Sequence, residues 1–381
     1  MLGRLEAAFF MPVIFIWALR DLDGLVMLDK KRIRSHVMLL RFIFLLIVSI
    51  NLLASEPGVL PKPITNNAVA AAKVNGQWRL YSFNGLAEGK RWSDATSHAS
   101  FWQLGTPQGQ TLKPVPGPGG RLASIAVTVA NQIYLMGGYT VAKDGSEVST
   151  PEVFRFDPIQ SSYQQVTEMP FPVDDSVALV YQDRYIYLVS GWHHDGNISH
   201  VQMLDTHSMT WTQVSPFPGP AVFGHAAGIL GNQMVVVDGV KVADRSKGKR
   251  IYKMSPVSFL GTIDPKNPAK IKWQVLPKHP GAAGYRMAAT GDEKGQRIIF
   301  AGGSANPYNY NGIGYDGRPA SADSRVFAWD LKQQKWQVLP SLKTASMDHR
   351  GLLAVDDCFY LLGGMLDKQR VTDKIQRYCP K

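Results

Sequence analysis

Six times along this chain an apolar run ends in a residue pair whose second member is glycine. The pairs are Asn84-Gly85, Gly137-Gly138, Ser190-Gly191, Asp238-Gly239, Gly302-Gly303 and Gly363-Gly364. The second glycines are spaced 53, 53, 48, 64 and 61 residues apart. Self-similarity at a period near fifty means a repeat architecture, in which each unit buries its apolar faces only against its neighbours. The cleanest unit is residues 121–172. It holds apolar runs at 122–129 and 133–136, then Gly137-Gly138, then Val-Phe-Arg-Phe-Asp at 153–157, and then a run opened by Tyr163. Period-two alternation and turn residues make these four short strands. Glycine at the turn lets the backbone go where a side chain could not follow.

Fourth-strand aromatics recur at Tyr163, Trp211, Trp273 and Trp336, and Trp-Gln-Val-Leu-Pro occurs at both 273–277 and 336–340. Four β-runs per unit with this glycine signature resemble a Kelch repeat, which implies an all-β propeller of six blades. The last repeat lacks its fourth strand, and Val59-Leu60-Pro61-Lys62 matches Val275-Leu276-Pro277-Lys278. The N-terminal segment is therefore expected to supply the outer strand of the last blade, removing an open seam.

Residues 38–55 have a basic start at Arg41, an apolar core over 42–53 and the small-residue exit Ala54-Ser55. This is the pattern of a secretory signal. The expected organisation is a signal region over 1–55, with Met38 as the biological start, and a propeller over 56–381. A periplasmic or secreted location follows, and a membrane contact only if the N-terminal segment is retained. The propeller portion holds 34 Lys/Arg against 26 Asp/Glu, a net charge of +8. That balance permits an anionic partner. The only basic cluster, Lys247-Gly248-Lys249-Arg250, is too small for a nucleic-acid face. Cys358 begins the second strand of the last blade and Cys379 ends the third, opposite positions of a hairpin. A disulfide is geometrically open to them and suits export; two free buried thiols are the alternative.

Function in a propeller is expected where the innermost strands begin. Polar residues stand near those starts: Asn67, Arg121 or Ser124, Asp175 or Ser176, His225, Arg286 and Arg350. Arginine forks grip carboxylates in two places, so this set reads as an anion receptor. The plainer reading of each residue is a channel-facing group satisfied by water or the next blade. His225 and Arg350 lie the same distance before Asp238 and Gly363, which pairs them as equivalents. The loop 304–324 interleaves Tyr308, Tyr310 and Tyr315 with Asn and Gly, which suits sugar stacking or a tight surface loop. His193-His194-Asp195 offers no third metal ligand at fixed spacing, and neither a metal nor a cofactor is expected.

The repeats, the secretion signal and the terminal strand exchange together resemble the bacterial sialic acid mutarotase family, the N-acetylneuraminate epimerases. The resemblance implies an acidic sugar as ligand and interconversion of its anomers. On that hypothesis the expected roles are Arg286 and Arg350 as the carboxylate clamp, His225 as a proton shuttle titrating near neutrality, and Asp175 or Arg245 as its assistant. Arg121, Asn67 and Tyr310 complete the expected binding set. The family carries an acidic residue directly after the fourth-blade glycine, where this chain has Val240, while Arg245 matches the family's arginine. Galactose oxidase shares the fold class, but its copper chemistry needs a Tyr–Cys crosslink and two His, and both cysteines here fall in the last blade. A non-catalytic propeller binding a glycan or a protein is the other reading, because propellers host both.

Overall fold

The computed structural model describes residues 57–117, 119–246 and 249–380. The expected signal region and its cleavage point lie outside them. Five four-stranded antiparallel sheets and one three-stranded sheet follow in chain order as the blades of a propeller. Blade 2, for example, is built from Ile125–Val129, Gln132–Met136, Glu152–Asp157 and Ser162–Glu168. Blade 6 has Leu353–Val355, Cys358–Leu362 and Ile375–Tyr378.

The apolar run before each glycine pair is the second strand of a blade, and it is buried on both faces. Successive side chains of a strand point to opposite sides, so each run serves two blade interfaces. In Tyr185–Val189, Tyr187 and Val189 pack toward blade 4, while Ile186 and Leu188 pack toward blade 2. Blade 4 repeats this, with Met234 and Val236 facing blade 3 and Val235 and Val237 facing blade 5. Each such side chain contributes about 1.5–3 kcal/mol by leaving water. This is why the runs are continuous rather than alternating in hydropathy.

The glycine pairs have one geometric explanation. The first member takes a left-handed φ in every blade, between 56° and 68°, which Asn, Ser and Asp tolerate. The second member also has positive φ, and a Cβ there would meet a backbone carbonyl at the start of the same blade's innermost strand. Those carbonyls belong to Thr65, Leu122, Asp174, Phe223, Tyr285 and Met347, at 2.5–3.0 Å. Glycine is thus required at the second position; the first holds Asn, Ser or Asp in three blades, whereas a Cβ on Gly137, Gly302 or Gly363 would meet a carbonyl of the next blade within 2.5 Å.

The ring closes as the sequence implied, but more briefly. Val59 bridges Lys374, the Leu60 N–H donates to Asp373 at 2.8 Å, and the Ile64 N–H donates to Thr372 at 3.1 Å. Pro61 and Pro63 have no N–H to give, so the ladder cannot lengthen. Leu60 and Ile64 instead insert between blades 6 and 1, among Leu80, Trp102, Leu353 and Tyr360. Cys358 and Cys379 form a disulfide with Cα atoms 4.4 Å apart, next to the paired Phe359 and Tyr378.

Candidate functional site

One residue per blade, just before the innermost strand, holds a left-handed φ: Asn66, Ala123, Asp175, Gly224, Arg286 and Asp348. The residue preceding each one bridges the segment after its blade's glycine pair, which fixes the equivalence. Backbone hydrogen bonds link these positions around the axis. The Asp175 N–H donates to Ala123 at 3.3 Å, Gly224 to Asp175 at 2.7 Å, Arg286 to Gly224 at 2.7 Å, and His349 to Arg286 at 3.1 Å. The Ala123 N–H takes the side-chain oxygen of Asn66 instead. Gly224 needs its lack of a Cβ, which would otherwise collide with the Tyr285 ring. This register corrects one expectation. His225 is equivalent to His349, not to Arg350, and Arg286 is equivalent to Asp175 and Asp348.

The ring positions bring opposite charges together. Arg286, 3% exposed, donates from Nε to both oxygens of Asp175 at 3.2 Å, from Nη2 to Asp175 Oδ2, and from Nη1 to Asp348 Oδ1 at 3.1 Å. Burial pushes the Asp175 carboxyl up, but Arg286 and Arg350 outweigh it and hold the pKa below its ordinary value. Burial likewise works against the Arg286 charge, and Asp175 more than restores it. Three of the five Arg286 N–H groups are thus taken up by the protein's own carboxylates, Asp175 and Asp348. Asp175 is pinned by the same contacts and by the ion pair with Arg350.

Arg350 differs. Its Nη1 donates to the His349 carbonyl at 2.9 Å and lies 3.5 Å from Asp348 Oδ1. Its Nη2 sits 2.8 Å from Asp175 Oδ1 as an ion pair off the hydrogen-bonding line. Nε and Nη2, the side-on fork of the guanidinium, have no hydrogen-bond partner although buried. His225 has a similar vacancy. Its Nε2 lies 2.8 Å from the Val189 carbonyl, which only accepts, so the proton is on Nε2. The lone pair on Nδ1 is buried and unpartnered. Burial lowers the His225 pKa to about 4, so the expected shuttle near neutrality is instead a neutral imidazole. Arg350, His225, Arg286 and Asp175 line the end of a channel cavity of about 340 Å³, which continues along the innermost strands to Thr128, Gly291 and Ala354.

The remaining expected residues lie elsewhere. Arg121 is 1% exposed, donates to Glu152 at 3.0 Å and lies over the Phe154 ring. It stands two positions before the ring residue and turns into the blade, away from the channel. Asn67 donates to Ser82 Oγ at 2.8 Å and to the Leu362 carbonyl at 3.4 Å, a strand-to-strand tie. Arg245 is on an exposed hairpin and pairs with Asp195. Asp195 in turn follows His193, whose Nδ1 is 2.6 Å from the Pro172 carbonyl. Tyr310 packs against Leu86, Leu122 and Tyr139 of blades 1 and 2. Tyr308, fully buried, sits over Arg286 at 5.2 Å. The fifth-blade loop thus reaches across the channel end and caps it, and its first aromatics are packing groups. Asp348 and His349 were not anticipated. The signal that identifies Asp348 is its left-handed φ position, shared with Asp175 but hidden by unequal turn lengths.

No family model matches the chain. It is 24% identical over 287 residues to Kelch-like protein 15 of Homo sapiens, a match covering 74% of this chain and 43% of that protein. It is 28% identical over 165 residues to Kelch-like protein terF of Aspergillus terreus, covering 43% of this chain and 32% of that protein. The chain therefore spans less than half the length of these curated relatives. A solved structure titled "Structure of YjhT" superposes with a TM-score of 0.65 at 15% identity, covering 84% of this chain and 96% of that one. At that identity the likeness concerns the fold alone. Repeat similarity and six blades together make this a Kelch-type β-propeller.

Proposed function

We propose that this chain is an exported binding propeller that takes a small carboxylate-bearing ligand, an acidic sugar, into its channel. The observation that carries the reading is Arg350, a buried guanidinium lining the cavity whose Nε has no hydrogen-bond partner and whose Nη2 meets Asp175 Oδ1 only as an ion pair at 2.8 Å. That Nε/Nη2 edge matches the two oxygens of a carboxylate, and an unmade hydrogen bond in a buried site is costly. The His225 Nδ1 lone pair beside it accepts from a hydroxyl, which a sugar acid supplies together with the carboxylate. The cavity is within the size range of small-molecule sites. The disulfide supports an oxidising compartment and hence export.

Binding is favoured over anomer interconversion because His225 is a weak base when its pKa is near 4 and Asp175 is bound by Arg286. Titration calorimetry with N-acetylneuraminate and with neutral N-acetylmannosamine tests the reading. Saturable binding of the acid alone is expected, lost by at least tenfold in Arg350→Gln. Equal affinity for both sugars, or an unaffected Arg350→Gln variant, defeats it. NMR measurement of anomer equilibration on the same samples tests catalysis directly.

A further inference from the structure

Among the described residues the channel has one closed end and one open end. At the ring end Tyr285, Tyr308, Met347 and Met365 are fully buried in one cluster with Trp192 and Phe223, drawn from blades 3 to 6. Tyr310 carries this cover over blades 1 and 2 by packing on Leu86, Leu122 and Tyr139. Polar ties hold it in place. Gln369 Nε2 donates to the Ala320 carbonyl at 2.7 Å, and Lys90 Nζ donates to the Gln369 carbonyl at 2.7 Å. Side chains packed in this way leave few voids larger than a water molecule. At the other end exposure returns. Five residues beyond the ring the lining ends at Ala71, Thr128, Val180, Ile229 and Gly291, all half-buried, and in blade 6 at the exposed Ala354.

We infer that the channel is a blind tube, which its ligand enters from the end opposite the ring, carboxylate first. The inference rests on the carboxylate-binding reading above and adds the route and the orientation. Arg350 stands two residues beyond the ring, where the other blades carry Ala68, Ile125, Val177, Ala226 and Ala288. Three further strand residues separate this level from the mouth, a distance of about 10 Å. Arg286 and Arg350 are the only Lys or Arg side chains in the lining, and both lie at the blind end. Toward the mouth the lining holds no charged side chain, and its hydroxyls are those of Thr128 and Thr290. Thr128 already donates to the Ala71 carbonyl at 2.7 Å. The layer just beyond Arg350 is small throughout: Val69, Ala126, Ala178, Ala227, Ala289 and Gly351. A carboxylate therefore meets its counter-charge only at the blind end, and the rest of the ligand trails toward the mouth. Bulk beside the carboxylate runs into the cover, whereas bulk at the far tip projects into solvent.

The route is tested without the ligand. Ala178→Cys places a thiol midway along the channel, and its alkylation by iodoacetamide is timed by mass spectrometry; the two native cysteines are closed in the disulfide. Adding Val180→Trp/Ala354→Trp, from opposite blades at the mouth, should slow alkylation at least tenfold. Ala71→Trp/Ile229→Trp repeats the plug from blades 1 and 4 should the first pair fold poorly. Ile313→Trp, on the exposed part of the fifth-blade loop, should leave the rate unchanged. Slowing by the loop variant, or undiminished alkylation behind the mouth plugs, overturns the inference. Because iodoacetamide needs no carboxylate site, this result stands whether or not N-acetylneuraminate binds. Orientation is read by calorimetry with two derivatives of N-acetylneuraminate of matched bulk. One carries a benzoyl group on the glycerol tip, far from the carboxylate, and the other a benzyl group on the anomeric oxygen beside it. The first should bind within threefold of the parent sugar and the second at least tenfold more weakly. Equal affinity for the two, or the reverse order, overturns the orientation.

Discussion

Asn66 donates from Nδ2 to Oδ1 of Asp348 at 3.2 Å, joining the first blade to the last across 282 residues of sequence. Thr65 Oγ1 reinforces the contact, donating to the other Asp348 oxygen at 2.7 Å. Four of the six steps around the channel are made backbone to backbone. The other two steps both run through the Asn66 side chain, which accepts from the Ala123 N–H and donates to Asp348.

Asp348→Ala is accordingly expected to be among the most destabilising substitutions in the chain. It removes both seam contacts and takes one of two carboxylates from buried Arg286. Breaking a buried ion pair in this way costs about 3–5 kcal/mol. Urea unfolding measures it. Asp348→Asn, which keeps the shape and one acceptor, should lose less.

How much of this was visible beforehand depends on whether backbone or side chain carries the signal. The glycine pairs were readable because only one residue type fits beside the carbonyls of Thr65 through Met347. The double-faced second strands were readable as continuous apolar runs. The ring of left-handed positions was not, since Asn66, Ala123, Asp175, Gly224, Arg286 and Asp348 share a backbone conformation and no chemistry. Arg286 and Arg350 look interchangeable in sequence. Only the third dimension shows that Asp175 and Asp348 hydrogen-bond the first, while Nε and Nη2 of the second make no hydrogen bond.

The second glycines should be intolerant of substitution in every blade, whereas three of the first members are already Asn, Ser or Asp. Gly303→Ala puts a Cβ 2.9 Å from the Tyr285 carbonyl at a φ of 85°. Strain of this kind costs on the order of 1–3 kcal/mol. Asn84→Gly, at a first position with a φ of 57°, meets no such clash and loses one amide contact, to Ser124 Oγ. Thermal unfolding of the two variants should separate them by several degrees.

Stability should fall on acidification before the carboxylates titrate. His225 and His349 both have pKa values lowered by burial to about 4 in the folded chain. Unfolded, each would titrate near 6.5. Between those values the unfolded state binds more protons, so stability rises with pH. As pH drops from about 6.5 to 4, each histidine therefore withdraws on the order of 3 kcal/mol. Asp175 acts later: its folded pKa is depressed, so its contribution is complete above the ordinary carboxylate range and is lost as pH falls through the folded value. Equilibrium unfolding at a series of pH values checks this, and His225→Asn should flatten the upper part of the curve.

Reduction should loosen one end of the ring without dismantling the blades. Cys358 and Cys379 close a loop with a sequence separation of 21. A loop of that length is worth about 3 kcal/mol through the entropy it removes from the unfolded chain. The loop contains Asp373 and Lys374, the residues that hold Leu60 and Val59 at the seam. Cys358→Ser/Cys379→Ser should lower Tm by several degrees and raise amide hydrogen exchange first in Ile375–Tyr378 and around Val59. Exchange rising uniformly through all six blades would show that the seam is no weaker than the rest of the ring.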